Sequence, residues 1–372
     1  MNRNRNVDIL RAMAILLIIV YHCYILGGSP WSSHHKLNVL LSFGGELGVT
    51  LFFVLSGFGI FYSLLRQEKN GMPIKWTDFM RKRCVRIMPQ YYFCIGFLLI
   101  FQSTAMISAE GVGHIFAYGL FLQNLTPATH GSINGALWAI ATIFQFYLIA
   151  VLLFKLIKRN WILTGILSIV ITIVSKYVIY HLIIPTALPG NTNAFFVYGR
   201  ELISALDNFV LGMLAAMASV FLIEKLGRRQ RICIGLTGVT VYIIILLVVS
   251  YYFSVSGLYV DSIRGYVGHT VLAFLMSGLV VCVSVLPQRD WKILKPLYIV
   301  ADYQYGMYLW HMPIIGYLYN GAPAIKSLVS KSFALYIICI ILVVTVFGWF
   351  VSKCVDSVKY TKLFEKKSKG RN

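Results

Sequence analysis

Acidic residues are scarce in this chain: 13 Asp and Glu stand against 33 Lys and Arg in 372 residues. Charged residues of both signs make up 12% of the sequence, where a soluble domain carries about 25%. With 58% hydrophobic residues, such a chain cannot cover itself with polar surface, which excludes a soluble globular protein. The seven cysteines (Cys23, Cys84, Cys94, Cys233, Cys282, Cys339, Cys354) form no CxxC pair and no Cys/His cluster. Neither a disulfide framework nor a zinc site is favoured by this spacing, and the thiols read as buried apolar groups. Repeats and low-complexity segments are missing except for the lysine-rich "KKSKG" near the end. No small-residue cleavage site follows the first apolar run, so a signal peptide is not expected. No polar stretch is long enough for a second domain, and residues 1–372 read as one integral membrane domain.

What is present is a succession of apolar runs about 20 residues long. They predict an all-α polytopic membrane helix bundle with about ten transmembrane helices, at approximately 9–27, 46–65, 88–106, 138–156, 161–182, 200–222, 232–252, 269–287, 297–318 and 331–352. The segment "HIFAYGLFLQNL" (114–125), 12 residues long, is too short to cross and predicts a short re-entrant or interfacial helix. A net charge of +20 would point to nucleic acid in a soluble protein; in a polytopic one it sets topology. Starting with the N-terminus inside, 27 of the 33 basic residues fall on inner segments, including Arg81, Lys82, Arg83, Arg86 and the short basic tail 353–372. The expectation is a multi-pass protein of the cell membrane with both termini cytoplasmic. Its partners would include membrane lipids and no nucleic acid.

Against this background the ionisable residues inside apolar runs become informative. In "RAMAILLIIVYH" (11–22), Arg11 and His22 lie about 16 Å apart along a helix axis, roughly half of a ~30 Å hydrocarbon core. An ionised side chain in that medium costs about 2.5 kcal/mol or more, so such residues mark a path, a site or a helix clamp. "YGMYLWHMPI" (305–314) puts His311 at similar depth in another span, near Tyr308, Trp310 and Pro313. Two histidines at one depth predict a shared polar cavity suited to proton transfer. "GGELGVTLFFVLSGFGIFY" (44–62) carries Gly44, Gly45 and Gly48, then Ser56-Gly57, which admit a close backbone, from another helix or a ligand. "KWTDFMRKRCVRIMPQYY" (75–92) places its cations before a proline-started span. It reads either as topology-setting charge or as a binding site for a phosphorylated cytosolic ligand.

These residues together resemble the acyltransferase-3 family. Arg11-x10-His22, "GVTLFFVLSGF" (48–58), "RKRCVRIMP" (81–89), "LWAIATIFQFYL" (137–148), "DNFVLGMLAA" (207–216) and "YLWHMPI" (308–314) occur in that family's order and at its approximate separations, over essentially the whole chain. The resemblance implies an O-acetyltransferase moving an acetyl group from cytosolic acetyl-CoA to a hydroxyl of a cell-surface or lipid-linked glycan. O-antigen, peptidoglycan, exopolysaccharide, common antigen, nodulation factors and macrolides are the family's acceptors. It implies Arg11, Arg81, Arg83 and Arg86 as donor-binding residues, His22 and His311 as catalytic residues, and Ser56, Trp138, Gln145, Tyr147 and Tyr308 as residues lining the substrate cavity, with no metal. The sequence departs from the family pattern at two positions, Ala139 for a serine and Ile143 for a glutamate. Glu46, Glu201, Asp207 and Asp302 are candidates to replace the missing carboxylate. A fused extracytoplasmic esterase-like domain of the kind some members carry is not expected, so transfer finishes within the membrane domain or on a separate polysaccharide-assembly partner.

Acceptor specificity is expected in the outer loops, where Trp31, Phe195, Phe196, Tyr198, Tyr259 and Tyr266 serve either as sugar-stacking rings or as an interfacial aromatic belt. His34, His35, His114, His130, His181 and His269 read as loop or interfacial residues. Two other readings stay open at this point. In one, the chain exports or flips a glycan; no inverted repeat supports it. In the other, it is a non-catalytic partner in polysaccharide assembly.

Overall fold

A backbone in hydrocarbon must satisfy its own hydrogen bonds, and the apolar runs do so as helices. The computed structural model describes residues 4–33, 35–102, 109–288 and 291–357; Arg3, His34, Arg289 and the tail from 358 onward lie outside them. Helix makes up 84% of the structure, and no strand occurs among the described residues. In order the helices are α1 (Arg5–Leu26), α2 (His35–Lys69), α3 (Trp76–Gln102), α4 (Ala109–Gly119), α5 (Trp138–Arg159) and α6 (Trp161–Val178). A π turn, Ile179–Ile183, carries α6 into α7 (Ile184–Ala187). There follow α8 (Thr192–Tyr198), α9 (Leu206–Lys225), α10 (Arg228–Ser256), α11 (Ile263–Val285), α12 (Lys295–Gly321), α13 (Pro323–Lys331) and α14 (Phe333–Ser357).

Nine of the described helical segments are long and apolar enough to cross a membrane, which makes this a multi-pass membrane protein. The expected span at 297–318 corresponds to α12, which is 27 residues long but carries Asp302, Gln304, His311 and Asn320 and is the more polar for them. Two boundaries move by more than ten residues. The second span, expected from 46, starts at His35, because hydrogen bonding continues past the apolar window. The third, expected over 88–106, is Trp76–Gln102, so the basic stretch belongs to the same helix and Pro89 lies inside it. The expected short helix at 114–125 is α4, 11 residues or about 16 Å, and residues 120–137 form turns.

The centre is made of α1, α2, α9, α11 and α12, where close backbones replace the hydrophobic driving force that lipid cannot supply. A Cβ on Gly48 would come within 2.6 Å of Ile18 Cγ1 and 2.7 Å of the Ala14 carbonyl oxygen, so α1 and α2 touch over residues 14–18. Gly57 and Gly212 mark a second crossing: a Cβ on the first would strike the Phe209 carbonyl of α9, and on the second the Val54 carbonyl of α2. Asn4 caps α1, accepting from the Asn6 and Val7 amides at 3.1 and 3.4 Å, and donates to the Ser284 carbonyl of α11 at 2.9 Å. Pro313 in α12 lacks the amide hydrogen that would bond the Leu309 carbonyl. That oxygen instead accepts from Asn134 Nδ2 at 3.0 Å, tying the 120–137 turns to α12. The exposed apolar residues of α10, such as Leu247, Val248 and Tyr252, form part of the lipid side.

Candidate active site

Two cavities lie along the bundle interior, one toward the basic end and one toward the opposite end. The basic cavity, about 260 Å³, is walled by α1, α2, α3, α5 and α12 and contains Arg11, Arg83 and Arg86 with Ser56, Ser63, Gln304 and Tyr147. Arg11 Nη1 donates to Asp8 Oδ1 at 2.7 Å, and the absence of a side chain at Gly59 leaves room for its other nitrogen. Arg83 lies against the rings of Phe79 and Tyr147, 5.1 and 5.6 Å from their centroids, and its buried Nε has no hydrogen-bond partner. On α3, Arg83 and Arg86 are three residues apart and share a face, while Arg81 is exposed and does not line the cavity. Ser56 Oγ donates to the Phe52 carbonyl of its own helix at 2.8 Å. Ala139 and Ile143, the two departures from the family pattern, face this cavity. Arg83 and Arg86, together with Arg11 on its Asp8 partner, give this wall a net positive charge that suits a ligand with several negative charges.

The second cavity, about 320 Å³, is lined by His22, Tyr21, Glu46, Gly135, Trp138, Phe196, Arg200 and Tyr259, among others. His22 Nδ1 lies 2.9 Å from the Ile18 carbonyl, and His311 Nδ1 lies 2.7 Å from the Tyr308 carbonyl. A carbonyl only accepts, so both Nδ1 atoms carry the hydrogen and both Nε2 atoms are acceptors. His311 Nε2 is 3.3 Å from His22 Nδ1 and shares its hydrogen with Ile18. This leaves the His22 Nε2 lone pair for a ligand. His311 is fully buried and does not itself line the cavity, standing behind His22 and Tyr308, which makes it a positioning group at this stage.

Opposite the histidines is an ion cluster drawn from five parts of the chain. Arg200 donates from Nη2 to Glu46 Oε2 at 2.7 Å and from Nε to Tyr259 Oη at 2.5 Å. Tyr259 in turn donates to Glu46 Oε2 at 2.7 Å, and Glu46 Oε1 lies 3.1 Å from His269 Nε2. The guanidinium is framed by Phe196, Trp138 and Tyr259, 3.5, 4.6 and 4.8 Å from their centroids. Burial works against the charge of Arg200, but Tyr259 and Glu46 beside it hold its pKa above the ordinary guanidinium value. His130, near Trp138 and Phe196, has its pKa pushed down to about 4 by burial, with Arg200 adding to the effect. Deeper in the bundle Lys176 is fully buried with no acceptor for Nζ, and Asp207 accepts from Thr270 Oγ1 at 2.5 Å.

Several sequence expectations change here. His269, expected at the interface, is buried in α11 beside Glu46. Gln145, expected in the cavity, lines neither; its Nε2 donates to the Phe121 carbonyl at 2.9 Å and to Asn124 Oδ1 at 2.8 Å, fastening the 120–137 turns. Of the proposed replacements for the glutamate, Glu46 shares the cavity of His22, but both its oxygens are occupied and it acts as a fixed anion. Glu201, whose carboxyl pKa burial pushes up to about 7, and Asp302 line neither cavity. Phe196 and Tyr259 of the expected sugar-stacking rings do line the second cavity, whereas Trp31 packs on Phe333 at 4.9 Å. Arg200 and Lys176 were findable as exceptions: both are among the six basic residues that the inner-segment assignment leaves out.

Among the described residues, the two cavities have only Val49 of α2 and Tyr308 of α12 in common. The Tyr308 hydroxyl donates to the Ala136 carbonyl at 2.7 Å, and its ring meets Phe52 edge-on at 5.8 Å.

Compared with known proteins, residues 4–353 match a family described as an acyltransferase domain. The chain is 26% identical over 329 residues to "O-acetyltransferase OatA" of Staphylococcus aureus (strain NCTC 8325 / PS 47), an overlap of 83% of this chain and 50% of the relative. It is 26% identical over 330 residues to "Peptidoglycan O-acetyltransferase OatA" of Listeria monocytogenes (83% and 49%). Against "Putative peptidoglycan O-acetyltransferase YrhL" of Bacillus subtilis (strain 168) it is 24% identical over 340 residues (83% and 48%). The chain thus spans about half the length of these relatives. No solved structure matches it.

Proposed function

Because the chain belongs to the acyltransferase-3 family, we propose that it is a membrane O-acetyltransferase. Acetyl-CoA is the donor in the basic cavity, and a hydroxyl of a cell-surface glycan is the acceptor in the histidine cavity. Peptidoglycan is the acceptor class that the relatives' names carry. The observation that carries this is the acceptor lone pair on His22 Nε2, held toward a cavity by a carbonyl-fixed tautomer on the same helix that presents Arg11 to the other cavity. Eleven residues separate the two side chains, about 16 Å of helix rise. That is the reach needed by an arm whose phosphates rest on Arg11, Arg83 and Arg86 while its thioester approaches His22.

His22 takes the proton of the acceptor hydroxyl as the oxygen bonds to the acetyl carbonyl carbon. The carbon–sulfur bond then breaks, its electron pair stays on sulfur, and His22 returns the proton to the thiolate, releasing CoA-SH and the sugar ester. His311 steadies the ring throughout: its Nε2 and the Ile18 carbonyl both receive the His22 Nδ1 hydrogen, and that contact strengthens when His22 carries the extra proton. In this reading the basic end faces the cytosol, where CoA is found, with both termini on that side of the cell membrane.

The test is acetyl-CoA labelled in the acetyl group, supplied to inside-out membrane vesicles containing the protein. Label entering an alkali-labile ester on glycan, only when CoA is on the face of the basic end, is the expected result. Glycan crossing the membrane without label would point to transport instead.

A further inference from the structure

The boundary between the two cavities belongs to few residues, Val49 and Tyr308 lining both. Gly48 lies against Ala14 and Ile18 of α1, so its neighbour Val49 stands on α2 at a level between Arg11 and His22. Across from it is Tyr308, one turn before His311 and anchored at its hydroxyl to the Ala136 carbonyl. Phe52 lies edge-on against the tyrosine ring. A group carried from the arginines to His22 has to pass this pair or lodge in it.

We propose that Val49 and Tyr308 set the length of acyl group that the protein transfers. A two-carbon acyl group fits between the two side chains and brings its carbonyl carbon to His22; a four-carbon group has to displace one of them. Interiors are close-packed and tolerate little extra volume, and Tyr308 is held at both its ring and its hydroxyl. One methylene in an apolar pocket changes selectivity by about 10–200-fold. The proposal rests on the assignment of donor to the basic cavity and acceptor to the histidine cavity, and adds to it which residues select the donor.

The experiment compares acetyl-CoA and butyryl-CoA as donors for the full chain in membrane vesicles, with CoA binding measured alongside. Val49→Ala is expected to raise the ratio of butyryl to acetyl transfer at least tenfold. Val49→Phe is expected to lower acetyl transfer at least tenfold while CoA binding stays within twofold. Tyr308→Phe, which keeps the ring but loses its anchor on Ala136, shifts the ratio in the direction of Val49→Ala by a smaller factor. If the wild type transfers acetyl and all three variants keep its donor ratio and rate within twofold, the selection proposal is overturned and the acetyltransferase reading stands. If the wild type transfers no acyl group from either donor, both are overturned.

Discussion

The basic cavity gathers three guanidinium groups, of which Arg11 is paired with Asp8, whereas the histidine cavity holds one guanidinium, locked to Glu46 and framed by aromatic rings. The first keeps a net positive wall, two guanidinium groups beyond the Arg11–Asp8 pair, and suits a polyanion; the second is neutralised from within and offers ring faces and an imidazole lone pair to an uncharged polar ligand. Ile143 sharpens the contrast, because the residue that the family pattern gives as glutamate sits on the basic wall and here leaves it more positive. On the proposed reading, charge serves the donor side, and shape with proton transfer the acceptor side.

The comparison can be broken most severely at His22. His22→Ala should reduce acetyl transfer by about 10²–10⁴, the usual worth of a positioned general base, with CoA binding unchanged. Retained turnover would remove the histidine cavity from the chemistry. Arg200→Ala should lower stability by about 3–5 kcal/mol, because it strands the Glu46 carboxylate in the interior. Thermal unfolding in detergent measures this, and adding Glu46→Gln to the same chain should recover part of the loss. Arg83→Ala should raise the acyl-CoA concentration needed by about 10–100-fold, the equivalent of ~1.5–3 kcal/mol for a charge-assisted hydrogen bond, with no change in the acceptor requirement. Equal changes in both requirements would mean that the basic cavity does not select the donor.

The smallest effect is in pH. His130 is held neutral in the fold, with a pKa of about 4 against 6.5 for an unperturbed histidine, so the unfolded chain binds the proton more readily in between. Stability from this residue is complete above about 6.5 and is lost as pH falls toward 4. Unfolding temperatures across pH 7 to 4.5, compared with His130→Gln, should show a shallower slope in the variant.

The bundle and the pair His22–His311 were legible because burying an ionisable group in lipid is expensive, so one that persists in an apolar run stands out. The ion cluster was not, since Glu46 meets Arg200 and Tyr259 across 154 and 213 residues, and no local pattern joins them. Gln145 is a different kind of miss. Ile143 and Tyr147 are four residues apart and both face the basic cavity; Gln145, two residues from each, points about 200° round the helix from Ile143. Helical geometry alone separates it from the cavity. The extent of α2 and α3 escaped for another reason: hydropathy marks where lipid contact ends, not where backbone hydrogen bonding does.

The crossing at Gly57 and Gly212 has a mechanical consequence. With main chain seated against main chain, α2 and α9 behave as a doweled joint: neither can slide or turn past the other without lifting off it. Glu46, Val49 and Ser56 therefore ride on a fixed post, and any breathing that would admit a bulky ligand has to come from elsewhere in the wall, such as the 257–262 bend between α10 and α11.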